Sequence, residues 1–445
     1  NSLEEVIERV ISFDSENNSE FLIGRGWDQN DWSNKEFPDN LLLNKEFPDK
    51  AVVLRRIDGH AYLVNDFALD LAGINNLTEI EGGEFIKKNG KLTGVLIDNA
   101  MRLIDEIIPE PTKEQSVKAL ISAQDLAFEN GLTTISDAGL TKPQIDLIDE
   151  LQNDGILKIR IYAMIENEPK TLQFYLDSGP YKTDRLNVRS VKVYADGALG
   201  SRGALMINDY SDRKGFKGII RTPIDSIQNL AFKLAGTGFQ MNTHAIGDDA
   251  NRIVIQAYRS ALFDYRDPRW RIEHAQMVDD DDINMFKDHS ILPSMQPSHC
   301  TSDMAWLDER IGIDRLKLIS RWQTFINLGL KIPGGSDCPI ETGNPLFEFY
   351  AAVTRTNHQG FPKGGWQPQE KINSLHALKM FTSWAAYGGF DELYRGRIDI
   401  GFDADLTVLS NNILDIEPAK ILDLSLIHIS EPTRRTPISY AVFCL

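Results

Sequence analysis

The sequence predicts an α/β fold: a (β/α)8 TIM-type barrel lacking its first strand, with the remnant of a small β-sandwich domain. Three observations point there. Seven β-rich runs alternate with helical stretches along the 445 residues, the order of a parallel barrel. Most of these runs lack a clean polar alternation, as strands covered on both faces do. A turn-rich β segment, "RGRIDIGFDADLTVLS" (395–410), follows the last helical stretch and reads as part of a separate β domain.

In chain order the β runs are "LTTISDAG" (132–139), "LKIRIYAMI" (157–165), "SVKVYADG" (190–197), "FQMNTHAIG" (239–247), "RWRIEHAQ" (269–276), "SILPSMQP" (290–297) and "LKIPGGSD" (330–337). Helices lie between them. In "PTKEQSVKALISAQDLAFENG", Thr112 and Gln115 fit a capping box, Val117, Leu120, Ile121 and Phe128 form an apolar face, and Gly131 fits the stop.

Residues 1–390 are thus read as the barrel, with 24–94 a long insertion after the missing strand. "NKEFPD" occurs twice there, from Asn34 and Asn44, and reads as a local duplication. Residues 391–424 are the β-sandwich remnant. The segment 425–445, "SLIHISEPTRRTPISYAVFCL", departs from what precedes it and is set aside as a non-native tail. The chain opens at Asn1 with the amphipathic "SLEEVIERVISF" and no leader-like region, so it is read as N-terminally truncated. The compartment is cytoplasmic by default, and a signal peptide upstream is the alternative.

With 42% hydrophobic and 25% charged residues, the composition is that of a globular protein. A net charge of −18 argues against a nucleic-acid partner, which favours a basic face. No apolar run is long enough for a membrane span. Cys300, Cys338 and Cys444 are odd in number and widely spaced, which suggests neither a disulfide framework nor a cysteine zinc site. Assembly into a homo-oligomer is left open.

In such barrels the chemistry sits at the C-terminal ends of the strands. His244 ("NTHAIGD"), His274 ("RIEHAQ") and Asp337 ("GGSDCP") stand at such ends, and Lys192 lies on the run before His244. Taken singly, each has a plainer use: a hydrogen-bonded core histidine, a turn-forming aspartate, a lysine paired with Asp196 or Glu273. Their order on successive runs is the signal. His299 and Asp303 in "QPSHCTSD" follow the seventh strand, and with His60, Arg202 and Trp27 they are candidates for binding the substrate. His289, His358 and His376 read as structural.

The motifs "GWDQNDW", "VVLRRIDGHAYLVN", "GLTTISDAG", "VKVYADGALGSRGA", "NTHAIGD", "RIEHAQ", "MQPSHCTSD", "GGSDCP" and "GRIDIGFDADLTVL" together resemble the amidohydrolase superfamily, in the branch containing N-substituted formamide deformylase. The resemblance runs from about Gly24 to Leu424. It implies hydrolysis of an amide or related non-peptide C–N bond in a small molecule, with a divalent metal, zinc, as one or two ions. It implies that Lys192 becomes a carbamate and ligates metal with His244, His274 and Asp337. Asp337 would also take the proton from the attacking water and return it to the leaving nitrogen. The family draws two more ligands from an H-x-H motif on strand one, and no H-x-H occurs in this chain. The metal site is therefore expected to be incomplete and this chain inactive. Two other readings stay open: a Schiff-base lyase with Lys192 as nucleophile, and a non-catalytic binding barrel.

Overall fold

The computed structural model describes residues 2–17 and 19–430, with the backbone alone for 427–430. These fall into two compact units, the described residues up to 110 with 194–223 and 306–313 in the first, and 111–193, 224–305 and the described residues from 314 onward in the second.

The first unit is built on a five-stranded sheet of β1 (Phe21–Trp27), β2 (Ala51–Arg56), β3 (Ala61–Val64), β4 (Gly83–Lys88) and β5 (Lys91–Asp98). Its order is β1-β2-β3-β5-β4; β1 and β2 run parallel and the remaining pairs antiparallel. Alternate residues feed two apolar layers. Val52, Leu54, Leu63, Val95 and Ile97 join Leu22 and Ile7 in one, while Val53, Tyr62, Val64 and Leu96 join Leu69 and Ile104 in the other. Both faces are covered along β3 and the first four residues of β2, which is why these read as unbroken apolar runs.

The second unit holds a curled, mostly parallel sheet, a half-barrel, of β6 (Thr134–Leu140), β7 (Arg160–Glu166), β8 (Tyr181–Lys182), β9 (Leu186–Tyr194), β10 (Gln240–Ala245), β11 (Arg271–His274) and β12 (Leu292–Ser294). The order is β12-β11-β10-β9-β7-β6, with β8 antiparallel on β9. The capping box predicted at Thr112 and Gln115 is formed, and it starts the helix Lys113–Glu129. The sheet does alternate, although nearly every residue of β7 and of β9 to β12 is buried. Ser190 and Lys192, Gln240, Asn242 and His244, and Arg271 and Glu273 each recur at a spacing of two and are all buried, so each strand turns a polar row to one face. The register Asn242↔Arg271 and His244↔Glu273 puts two of these rows side by side.

Two expected strands are cut short. "SILPSMQP" keeps only Leu292–Ser294. "LKIPGGSD" is reduced to one parallel bridge, Met295↔Gly334. Pro333 has no N–H for a ladder, and Gly334 and Gly335 have no side chains to pack. Near the end of the described chain, β13 (Leu406–Leu409) pairs antiparallel with β14 (Leu426–Ser430). Of the segment set aside in the sequence, residues 431–445 lie outside the described residues, and so does Cys444.

Candidate functional site

The site residues of the second unit begin with Lys192, near the end of β9 and only 5% exposed, level with Glu166 of β7. His244 sits one residue before the end of β10 and is 2% exposed. His274 closes β11 on the opposite parity from Glu273, which alone would send it to the other face. Positive φ angles at His274 (73°) and Ala275 (41°) turn the chain there, a sparsely populated conformation of the kind often held at functional positions. The His244 and His274 rings meet edge to face with centroids 4.6 Å apart. His299, on the helix Pro297–Asp303, lies almost parallel to His274 at 5.9 Å. Three imidazoles expected from separate runs are therefore gathered in one place.

Hydrogen bonds fix the ring that carries most of the argument. His274 Nδ1–H donates to Gln296 Oε1 at 2.8 Å, and Gln296 turns its own Nε2 toward the Ser294 carbonyl at 3.4 Å. This leaves His274 Nε2 as the nitrogen with a lone pair. Burial, the largest influence, pushes His274 down to about 4; Lys192 and His299 push the same way, against Asp337 and Glu273. The ring is neutral at ordinary pH, as a metal ligand must be. For Glu273, burial opposes ionisation, yet the nearby charges of Arg271 and Lys192 and the Ser294 hydrogen bond outweigh it and hold the carboxyl below its ordinary value. Arg271 Nε meets Glu273 Oε1 at 2.7 Å.

Asn251 braces the loops behind the pair. Its Nδ2 donates to the carbonyls of Ala245 (3.1 Å), Gly247 (2.8 Å) and Met277 (3.1 Å), so the segments after His244 and His274 share one anchor. Gln276 Nε2 donates to Asp303 Oδ2 at 2.8 Å. Asp337 lies in an exposed turn after the Gly334 bridge, and its charge is felt at His274.

His60, Trp27 and Arg202 belong to the first unit. His60 Nδ1–H donates to Asp98 Oδ1 at 2.7 Å. Trp27 is buried in an apolar layer and its Nε1–H donates to the Leu54 carbonyl at 2.8 Å. Arg202 pairs with Asp212 at 2.9 Å. Sequence reasoning passed over Gln296, Asn251 and Gln276. Single amides carry no periodicity, and although Gln296 lay in "MQPSHCTSD" and Gln276 closed "RIEHAQ", neither stood out.

Among the described residues, no group of three or more His, Cys, Asp and Glu side chains is gathered so as to hold a metal ion. Lysine is outside that set. The donors that are gathered do suit a divalent ion of the zinc kind: two imidazoles, one of them neutral and oriented, with a third ring whose Nε2 is buried without a hydrogen-bond partner. The residues present fit such an ion as a partial ligand set.

Comparison with known proteins gives the family. The chain is 32% identical over 417 residues to YtcJ of Bacillus subtilis (strain 168), covering 91% of this chain and 77% of that protein. It is 24% identical over 389 residues to N-substituted formamide deformylase of Arthrobacter pascens, covering 83% and 70%. Among solved structures it resembles a protein of Pyrococcus horikoshii OT3 described as an uncharacterized metal-dependent hydrolase. The TM-score is 0.74 and the identity 26%, over 94% of this chain and 81% of that one. The protein is an enzyme of the hydrolase class. It belongs to the Amidohydrolase family, whose model matches residues 1–433. No helix among the described residues is long and apolar enough to cross a membrane.

Proposed function

We propose that this chain carries the half-site of a metal-dependent hydrolase that cleaves an amide or related non-peptide C–N bond in a small molecule. The observation that carries the proposal is the His244–His274 pair, with rings 4.6 Å apart and His274 held neutral with Nδ1 tied to Gln296. His244 and His274 would hold a divalent ion, zinc by the nature of the donors, and Lys192 would join them as a carbamate. Such an ion, when bound, polarises a carbonyl and lowers the pKa of water to about 7. Asp337 would accept the proton of the attacking water and pass it to the leaving nitrogen. What supports this is its charge at His274 and its place in the turn after Gly334 and Gly335. His299 and Asp303 would face the substrate. Nothing within the first unit adds to the substrate roles expected of His60, Trp27 and Arg202. The complete barrel remains part of this proposal: the half-barrel of the second unit and the likeness to a metal-dependent hydrolase support it.

The test is metal content by mass spectrometry on the full chain. His244→Ala and His274→Ala should each lower the bound zinc, and full occupancy in the double variant would overturn the assignment. Lys192→Ala should regain metal or activity with short carboxylic acids that fill the vacated space. Lys192→Arg should not, because a guanidinium supplies no anion. Where turnover is found, with N-substituted formamides as the first panel, Asp337→Asn should lower kcat by roughly 10²–10⁴, the usual weight of a general acid–base group.

A further inference from the structure

One helix reaches both strands that carry the histidine pair. The helix Asp248–Ala261 follows β10 and buries Asn251, Val254, Ile255 and Tyr258, the i, i+3, i+4, i+7 spacing of a single packed face. Two polar side chains stand on that face, about two turns apart, and both are fully buried (0% exposed). The Tyr258 hydroxyl lies 3.0 Å from the carbonyls of Met241 in β10 and Arg271 in β11, and 2.7 Å from Thr243 Oγ1. It ties the two strands near their starts. Asn251 acts at the other end, where its Nδ2 donates to Ala245, Gly247 and Met277. Its Oδ1 is buried without a hydrogen-bond partner, so only the donor end of the amide is used.

The two ends differ in what the backbone already secures. The parallel ladder pairs Asn242 with Arg271 and runs on to Ala245 and His274. There it stops. His274 and Ala275 have φ angles of 73° and 41°, a conformation that persists only where the surrounding structure holds it. Met277 is the far end of this turn. On one side it is bridged to Ile319. Toward β10, its N–H donates to the Ile246 carbonyl at 2.9 Å and its carbonyl accepts from Asn251 at 3.1 Å. Tyr258 thus reinforces a ladder, whereas Asn251 secures a turn beyond the ladder's end. The His274 ring hangs from that turn.

We propose that Asn251 is a positioning residue for the metal site. By tying Met277 to the end of β10 it fixes the turn that brings His274 to His244, and so sets the ring separation at which the pair takes an ion. This rests on the reading of His244 and His274 as metal ligands.

The experiment compares Asn251→Leu with Tyr258→Phe in the full chain. Leucine fills the space of the amide but donates nothing, and phenylalanine removes the hydroxyl and keeps the ring. Both should lower the melting temperature by a few degrees. Zinc affinity, read by competition with a chelator, should fall about 10–100-fold in Asn251→Leu, the weight of a residue that orients a ligand, and stay within about twofold of the parent in Tyr258→Phe. In the metal-free proteins the His274 ring carbons, assigned by NMR with His274→Ala, should shift in Asn251→Leu and not in Tyr258→Phe. Should Asn251→Leu fail to fold, Asn251→Ser, which keeps one donor on a shorter arm, carries the same measurements with the same order of effects. Where zinc depends on His244 and His274, parent-like affinity in the Asn251 variant overturns the proposal. So does an equal loss of zinc in Tyr258→Phe, which would make both losses a matter of general stability. The metal assignment fails separately. Zinc that ignores His244→Ala and His274→Ala defeats it, and a His274 ring that still moves in metal-free Asn251→Leu then leaves Asn251 as the residue that positions the ring.

Discussion

His60 in the first unit and His274 in the second both donate through Nδ1, over 2.7 and 2.8 Å, but to a carboxylate in one case and an amide in the other. Asp98, the partner of His60, is buried at the end of β5 with a positive φ of 51°. Arg221 lies 3.7 Å from it. A Cβ on Gly197 or Gly203 would come within 2.2 Å of Asp98 Oδ2, which accounts for two glycines of the "ADGALGSRGA" stretch. His60 is thus held by a charge that is itself packed around. His274 is held by a neutral group, and burial keeps the ring uncharged to about pH 4. An amide orients an imidazole without giving it a charge to stabilise, so the free nitrogen keeps its lone pair for a ligand. The same hydrogen bond serves architecture in one unit and, on our reading, metal binding in the other.

The largest expected effect tests the architectural half. Asp98→Leu removes one partner of a buried charge cluster, and calorimetry should show a loss of about 3–5 kcal/mol with zinc content unchanged. If stability held and zinc fell instead, the two histidines would not differ in the way described.

Next comes a contrast between buried carboxyls. Glu348, 2% exposed, gives Oε2 to the Ser298 N–H at 2.8 Å, at the start of the helix that carries His299. Burial raises it to about 8, against the Ser298 hydrogen bonds and helped by Glu341 and Asp337. The native state then holds a proton that the unfolded chain loses near 4.5. Stability conferred by this group is therefore fully present below pH 4.5 and is lost as pH rises towards 8. Glu348→Gln should flatten that fall, a difference on the order of a few kcal/mol across the window. Parallel stability–pH curves for the two proteins would show that Glu348 ionises normally.

Gln296→Leu sharpens the other half of the comparison. It strands the His274 N–H and should weaken zinc binding about 10–100-fold, read by competition with a chelator, with a smaller change in stability than Asp98→Leu. The smallest effect is Gln296→Glu, which gives His274 the kind of partner His60 has. The His274 ring, silent between pH 8 and 5 in the parent, should begin to titrate inside that range. NMR of the ring carbons reads this directly, and an unchanged His274 would show that burial alone sets its charge.

Much of this was legible in the chain. The runs at 132–139, 157–165, 190–197, 239–247 and 269–276 became β6, β7, β9, β10 and β11, and the Thr112 capping box formed as read. His244 and His274 were found because they close such runs. The last run, "LKIPGGSD", failed because Pro333, Gly334 and Gly335 cannot extend a ladder, a local fact that its apolar start outweighed in the reading. The polar rows of β9, β10 and β11 were also missed. Their alternation was hidden by the search for exposed polar residues, whereas here the polar row is itself buried.

The sequence by itself determined the elements and the residue types that close them, because hydrophobic period, capping and turn chemistry act over a few neighbouring residues. Only the tertiary structure decided what each buried nitrogen meets. His274 finds Gln296 22 positions away and His60 finds Asp98 38 positions away, while Trp322 is pinned by Arg355 and left with an N–H that nothing satisfies. Such pairings have no period to read. They follow from how the chain closes on itself, and they set which imidazole stays neutral and which meets a carboxylate.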